Sequence, residues 1–325
     1  MIKQKKALIA GGVVAALACA WWGLGAYASG KAEDELLALL DKTGQRDMVH
    51  WKSISASPFG SAKLKEVTIG SAGSPIASIE TVRISGLRNT RDRQSGDVTI
   101  EGAALPNGNS VLSQTDLIRQ AGKSDLPPAN LRVRWDYQRD DDNASIHLNL
   151  EQPDALNAEL TLGLERVNGA AALAENGAAL GALGMMGIMG MGRMDRALAP
   201  LAEVRITEGS LLLKDDGYVK RSIELYKRYN IAAVPGEGNP DKQRDKLFDK
   251  FIDDARKQCV QRKAMAGFKD NDDACEAAAN FAGGEDREIK LTLNPRNGVS
   301  VAEMLSGGGR DYSKVLALFS PTLKN

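Results

Sequence analysis

Hydrophobic and polar positions change rhythm several times along the chain. Lys3, Lys5 and Lys6 are followed by a run, residues 7–30, that carries no charged side chain. A hydrocarbon core of roughly 30 Å needs ~20 apolar residues in a helix, so this run is long enough to span a bilayer. Trp21, Trp22 and Tyr27 lie towards its far end, where amphipathic rings favour the interface. The pattern predicts an uncleaved N-terminal transmembrane helix, lysines inside and the remainder exported. Two alternatives stay open. Ala26-Tyr27-Ala28 has the form of a signal-peptide cleavage site, and Leu17-Ala18-Cys19 has the form of a lipoprotein signal acylated at Cys19. Against the second, Ala16 stands where a larger aliphatic is usual and residues 20–27 stay apolar. All three readings put residues 31–325 across the membrane.

The next stretch has a helical period. Leu36, Leu37, Leu39 and Leu40 recur at three- and four-residue spacing behind Glu33, Asp34 and Glu35, which suit a helix N-terminus, and Gly44 ends the run. This predicts a helical stem over residues 31–47 whose leucines pack on the domain beyond it. From Met48 the period becomes two. Strands are predicted at 48–55, at 62–69 and at 76–86. In the second, Leu64 and the Val67/Ile69 pair fall on opposite faces, which calls for a bulge or for burial on both sides. The polar run 89–96 reads as a connection, 97–101 as a short strand, and 107–123 as a helix carrying Val111, Leu112, Leu117 and Ile118. Alternation returns clearly at 131–137, 146–150 and 156–164. The first two of these are joined by Arg139-Asp140-Asp141-Asp142-Asn143, a hairpin tip rather than a calcium loop, since it lacks the distal Glu such a loop needs.

Within residues 168–200, Gly181, Gly184, Gly187 and Gly190 recur every third position, interleaved with Met185, Met186, Met189 and Met191. Glycine at that density disfavours an isolated helix by ~0.5–1 kcal/mol per residue. The four methionines are the candidate hydrophobic contact, a pliable surface for irregular apolar partners such as acyl chains; the competing reading is a low-complexity loop over a sheet edge. Strand alternation resumes at 203–214. An amphipathic helix follows at 218–229 through Val219, Ile223 and Tyr226. A second, at 240–265, has Leu247, Phe248, Phe251, Ile252, Ala255 and Cys259 on its predicted apolar face. A short helix around Cys275–Phe281, a closing strand at 288–294 and two short helices around Gly307-Gly308-Gly309 complete the chain.

Composition narrows the chemistry. Lys plus Arg and Asp plus Glu are equal at 42 each, so no basic excess points to nucleic acid. The only histidines are His50 and His147, neither spaced with a nucleophile or an acidic partner. No P-loop, G-x-S-x-G or H-E-x-x-H motif occurs in a fitting context. The expectation is therefore a protein without catalytic residues, metal or cofactor. Cys259 and Cys275 are the only cysteine pair in the exported part, and in an oxidising compartment such a pair is normally a disulfide; unpaired thiols or a metal site are the alternatives.

The Lys-flanked anchor, the short helix, and the runs 51–60 (WKSISASPFG), 62–70 (AKLKEVTIG) and 76–86 (IASIETVRISG) are together similar to the opening of AsmA-like and YdgA-like envelope proteins. The run 209–230 (GSLLLKDDGYVKRSIELYKRYN) and the strand ending at Asn294-Pro295 also resemble the YdgA-like pattern. The Gly/Met tract and the cysteine pair have no counterpart in it. The resemblance implies a single-pass bacterial inner-membrane protein with a periplasmic domain. It also implies a role in envelope homeostasis, with the membrane, phospholipid or acyl chains, or other envelope proteins as partners. The resulting expectation is an α+β fold: an N-terminal transmembrane helix (1–30) and helical stem (31–47), then a curved, mostly antiparallel β-sheet (48–214, with the insert 168–200). A C-terminal helical subdomain (215–325) completes it. The function expected is to bind or shield lipid or a hydrophobic partner, or else to serve as a scaffold in an envelope or secretion assembly.

Overall fold

The computed structural model describes residues 45–57, 61–71, 73–115, 122–123, 125–175, 200–236, 238–307 and 312–325, together with residues 33, 36, 37, 40 and 41. Its framework is a 12-stranded, antiparallel sheet that follows the chain almost in order. The strands are β1 (Val49–His50), β2 (Ser53–Ser57), β3 (Ser61–Ser71), β4 (Ser74–Asn89), β5 (Arg93–Ala103), β6 (Ala129–Gln138), β7 (Asn143–Gln152) and β8 (Leu156–Glu165). Helix α1 (Asn168–Glu175) precedes β9 (Arg205–Asp215). Helices α2 (Tyr218–Asn230), α3 (Pro240–Gln261) and α4 (Asn271–Gly283) then lead to β10 (Glu288–Leu293), β11 (Val299–Ser300), α5 (Val301–Gly307), α6 (Tyr312–Leu318) and β12 (Thr322–Lys324). The path across the sheet is β1-β3-β4-β5-β6-β7-β8-β9-β10-β12, with β2 also on β3 and β11 also on β9.

This corrects the expected fold class. Among the described residues no helix is long and apolar enough to cross a membrane, and residues 1–30 lie outside them. Helix α3 has the length, 22 residues, but alternates Lys, Arg and Asp with its apolar positions, so it is amphipathic and suited to lying on a surface. Helices α2 to α4 are an excursion between two adjacent strands, since β10 pairs with β9 from Glu288↔Lys214 to Leu293↔Gly209.

Three local expectations also change. The charged run 89–96 is strand at both ends, because β4 continues to Asn89 and β5 starts at Arg93. Charges there sit on the solvated side, as in the Arg93–Asp136 ion pair. Of the helix expected over 107–123, the described residues hold a 3-10 turn, Val111–Gln114, capped by the Ser110 hydroxyl accepting from the Leu112 N–H; Leu117 and Ile118 lie outside the described residues. On α3, Phe248 and Ile252 are buried, whereas Leu247 and Phe251 are about half exposed at 46% and 48%.

The phase conflict in β3 has a structural basis. Buried positions switch parity at one level across neighbouring strands, from Ala62/Leu64 to Val67/Ile69 in β3 and from Ile79 to Val82 in β4. At that level Glu66 has φ 50° and Gly102 has φ 73°. Beside Gly102, the β5–β6 register shifts between Ile100 and Ala103. All these apolar residues still belong to one core cluster, so the irregular residues absorb the parity change without dividing the core. Leu36 and Leu40, from the helical residues before the sheet, are buried in the same cluster. A Cβ on Gly102 would lie 2.8 Å from Glu80 Cβ, in a backbone conformation that L side chains avoid. Gly102→Ala is therefore expected to cost about 1–3 kcal/mol, read as a lower urea midpoint with unchanged slope.

Candidate functional site

Cross-strand partners point to the same face of a sheet, so the pairings trace continuous apolar rows. One row runs Ala62–Ile84–Val98 across β3, β4 and β5. It continues through Val133, Leu148, Leu160, Leu211 and Leu291 across β6 to β10. A second begins Leu64–Val82–Ile100 and continues through Leu131, Leu150, Ala158, Leu213 and Ile289. A third adds Trp135, Ile146, Leu162, Gly209 and Leu293. Gly96 opposes Trp135, and a Cβ there would collide with the indole ring.

The rows are continuous, but their cover is not. Over β3 to β5 every member is 5% exposed or less, and all belong to the main core cluster. Over β6 to β10 nearly all the members, from Leu131 to Leu293, are only part-buried. Small packed clusters close the two ends of this region. At one end Tyr137, Val167, Ala171 and Val204 pack together; at the other, Leu126 and Ala155. The part-exposed leucines between them form an aliphatic face running from β6 to β10. Four strand spacings make it roughly 19 Å wide.

The opposite face is polar. Between β2 and β6 it carries an open hollow of about 400 Å³ lined by Lys63, Arg83, Asp97 and Arg132 with hydroxyls from Ser55 and Thr99 among others. Asp97 accepts from Arg132 Nε at 2.9 Å and Nη2 at 2.5 Å. These hydrogen bonds, and then the Asp97 charge, hold the Arg132 guanidinium above its ordinary pKa. Arg134 Nε lies 3.7 Å from the same carboxylate, and Arg83 pairs with Glu101 at 3.1 Å.

Of the residues singled out from sequence, Cys259 and Cys275 are joined, with Cα atoms 5.8 Å apart, and tie α3 to α4. Met185, Met186, Met189 and Met191 lie outside the described residues. The aspartate-rich tip Arg139–Asp142 serves α1: Asp142 Oδ1 accepts from the Asn168 N–H at 2.7 Å. His147 faces Thr161 at 3.2 Å on the polar side, and His50 lies 3.2 Å from the Asp47 carbonyl. No sequence pattern singles out the polar hollow. Its only trace is the alternation of Lys63, Arg83, Thr99 and Arg132 against apolar neighbours on separate strands, invisible until the register is known.

No family model matches the chain, and no curated protein matches it.

Proposed function

We propose that the protein is a non-enzymatic component of the bacterial envelope, working in the periplasm against the inner membrane. It would shield lipid acyl chains on the aliphatic face of β6 to β10. The observation that carries this reading is the contrast along single cross-strand rows: the same face that is sealed over β3 to β5 is left part-open over β6 to β10. The open part is wide enough for one leaflet's acyl chain, about 15 Å if a chain fills half of a ~30 Å core. Its side chains are Leu, Ile, Val and Ala with Trp135 at the margin. That composition favours chains over a protein interface, whose cores are enriched in aromatics and Arg. The Cys259–Cys275 bridge suits an oxidising compartment, and the AsmA-like resemblance points the same way.

A scaffold role is the second reading, favoured by a different surface. Tyr226 stacks on Phe251 with ring centroids 5.3 Å apart, and exposed Leu247, Tyr229 and Val234 belong to the same α2–α3 hairpin and the loop between its helices. Native mass spectrometry of the full-length chain purified from cells decides between the two. Bound phospholipid is expected, falling at least ~10-fold when Leu148 and Leu160 are both changed to Gln, since each acyl methylene loses ~0.8 kcal/mol of burial. A chain that carries no lipid but cross-links to a stable protein partner through the α2–α3 hairpin would overturn the lipid reading.

A further inference from the structure

The polar side of the same sheet carries an arrangement that the lipid reading does not use. In the hollow between β2 and β6, the carboxylates present are outnumbered. Asp97 is shared by Arg132 and Arg134, and Glu101 engages Arg83. Among the described residues no carboxylate lies within ion-pair distance of the Lys63 ammonium. The lining itself thus sets Lys63, Arg83 and Arg132 against the single carboxylate of Asp97.

The guanidinium groups are held, not merely present. Arg132 commits Nε and Nη2 to Asp97, which fixes the plane of the fork and leaves its Nη1 donors unspent. Arg83 commits Nη2 to Glu101 and keeps Nε and Nη1. A fork fixed in this way loses less freedom when it meets a further oxyanion than a freely rotating side chain would. Thr99 adds a hydroxyl donor beside the cations, while the Ser55 hydroxyl donates to the Lys63 carbonyl at 3.5 Å. Phosphate, with three acceptor oxygens and up to two negative charges, can meet an ammonium and two guanidinium edges at once. The hollow of about 400 Å³ falls in the range of small-molecule sites, roughly 300–1,000 Å³.

We propose that this hollow binds the phosphate of a small organic phosphate, with Lys63, Arg83 and Arg132 as its cationic contacts. The phosphate could belong to a soluble metabolite or to a lipid headgroup; the chemistry recognised is the same. The site lies on the face opposite the aliphatic rows and stands whether or not those rows hold acyl chains.

Titration calorimetry of the full-length chain, at low and at physiological salt, tests it with three probes: glycerol 3-phosphate, inorganic phosphate, and vesicles of phosphatidylglycerol against phosphatidylcholine. Saturable binding of glycerol 3-phosphate is expected, weaker for inorganic phosphate. Lys63→Met and Arg132→Gln should each lower the affinity at least about tenfold, the scale of one charge-assisted hydrogen bond. Lys214→Met, on β9, should not change it. Unchanged melting temperatures show that the variants fold, and Arg134 remains to accompany Asp97 in Arg132→Gln. If only phosphatidylglycerol vesicles bind, and both variants abolish that binding, the phosphate is a headgroup. No saturable binding of any probe, or binding that both variants leave intact, overturns the proposal.

Discussion

Leu64→Ala is expected to destabilise the protein by about 2–5 kcal/mol, and Leu160→Ala by only about 1 kcal/mol, although both residues belong to apolar rows on one face of one sheet. Leu64 is 2% exposed inside the main cluster, so truncation leaves a cavity that rigid neighbours on β3, β4 and β5 cannot fill. Leu160, on β8, is part-exposed. Removing its methyl groups forfeits only the fraction of burial it had, and solvent or a bound chain occupies the space. Urea unfolding of the two variants, at matched slope, gives the comparison directly. Equal costs would mean that the β6 to β10 face is sealed in solution, and the acyl-chain reading would then have no surface to use. Adding a long-chain fatty acid should raise the midpoint of the wild type and do so less for Leu160→Gln.

Replacing both Cys259 and Cys275 by Ser is expected to cost about 3 kcal/mol, more than a hundredfold in the folding equilibrium, from loop closure alone. The two residues are 16 apart in sequence, and Cys275 is 1% exposed, beside Ala274 and Ala277 on the buried side of α4. Helix α4 also packs on β10 and β12, so freeing it loosens the last strands of the sheet. Hydrogen exchange should show the loss first in α4 and in the C-terminal half of α3, with β3 to β5 unaffected. A double variant within about 0.5 kcal/mol of the wild type, or one whose protection falls uniformly, would show that the bridge does not carry this stability.

Much of the strand architecture is legible in the sequence because alternation is a local property. Leu131, Val133 and Trp135 lie on one face whatever surrounds them, and the conflict between Leu64 and Val67 already announced the irregularity that Glu66 and Gly102 accommodate. Where local reading failed, a tertiary term had outweighed it. The polar run 89–96 became strand at both ends because its charged side chains could face solvent, Arg93 reaching Asp136, while buried Gln94 donates to Asn89. Leu247 and Phe251, which share helical spacing with Phe248 and Ile252, stayed exposed because α2 and α4 cover only part of the circumference of α3. The candidate site was legible only in pieces: the leucine-rich strands were evident, but not which of them would be sealed, and the cations of the hollow lie on separate strands.

By itself, the sequence determined which side chains share a face, where the β-hairpin tip at Asp140–Asp142 falls and that Cys259 and Cys275 are the two cysteines beyond residue 30, because period-two geometry, turn chemistry and residue counts act over short range. Only the tertiary structure decided that the strands join into one sheet, that its aliphatic rows are closed over β3 to β5 and part-open over β6 to β10, and that Lys63, Arg83 and Arg132 meet around a hollow. Register and cover are set by contacts between residues far apart in the chain, and these carry no signature within any single segment.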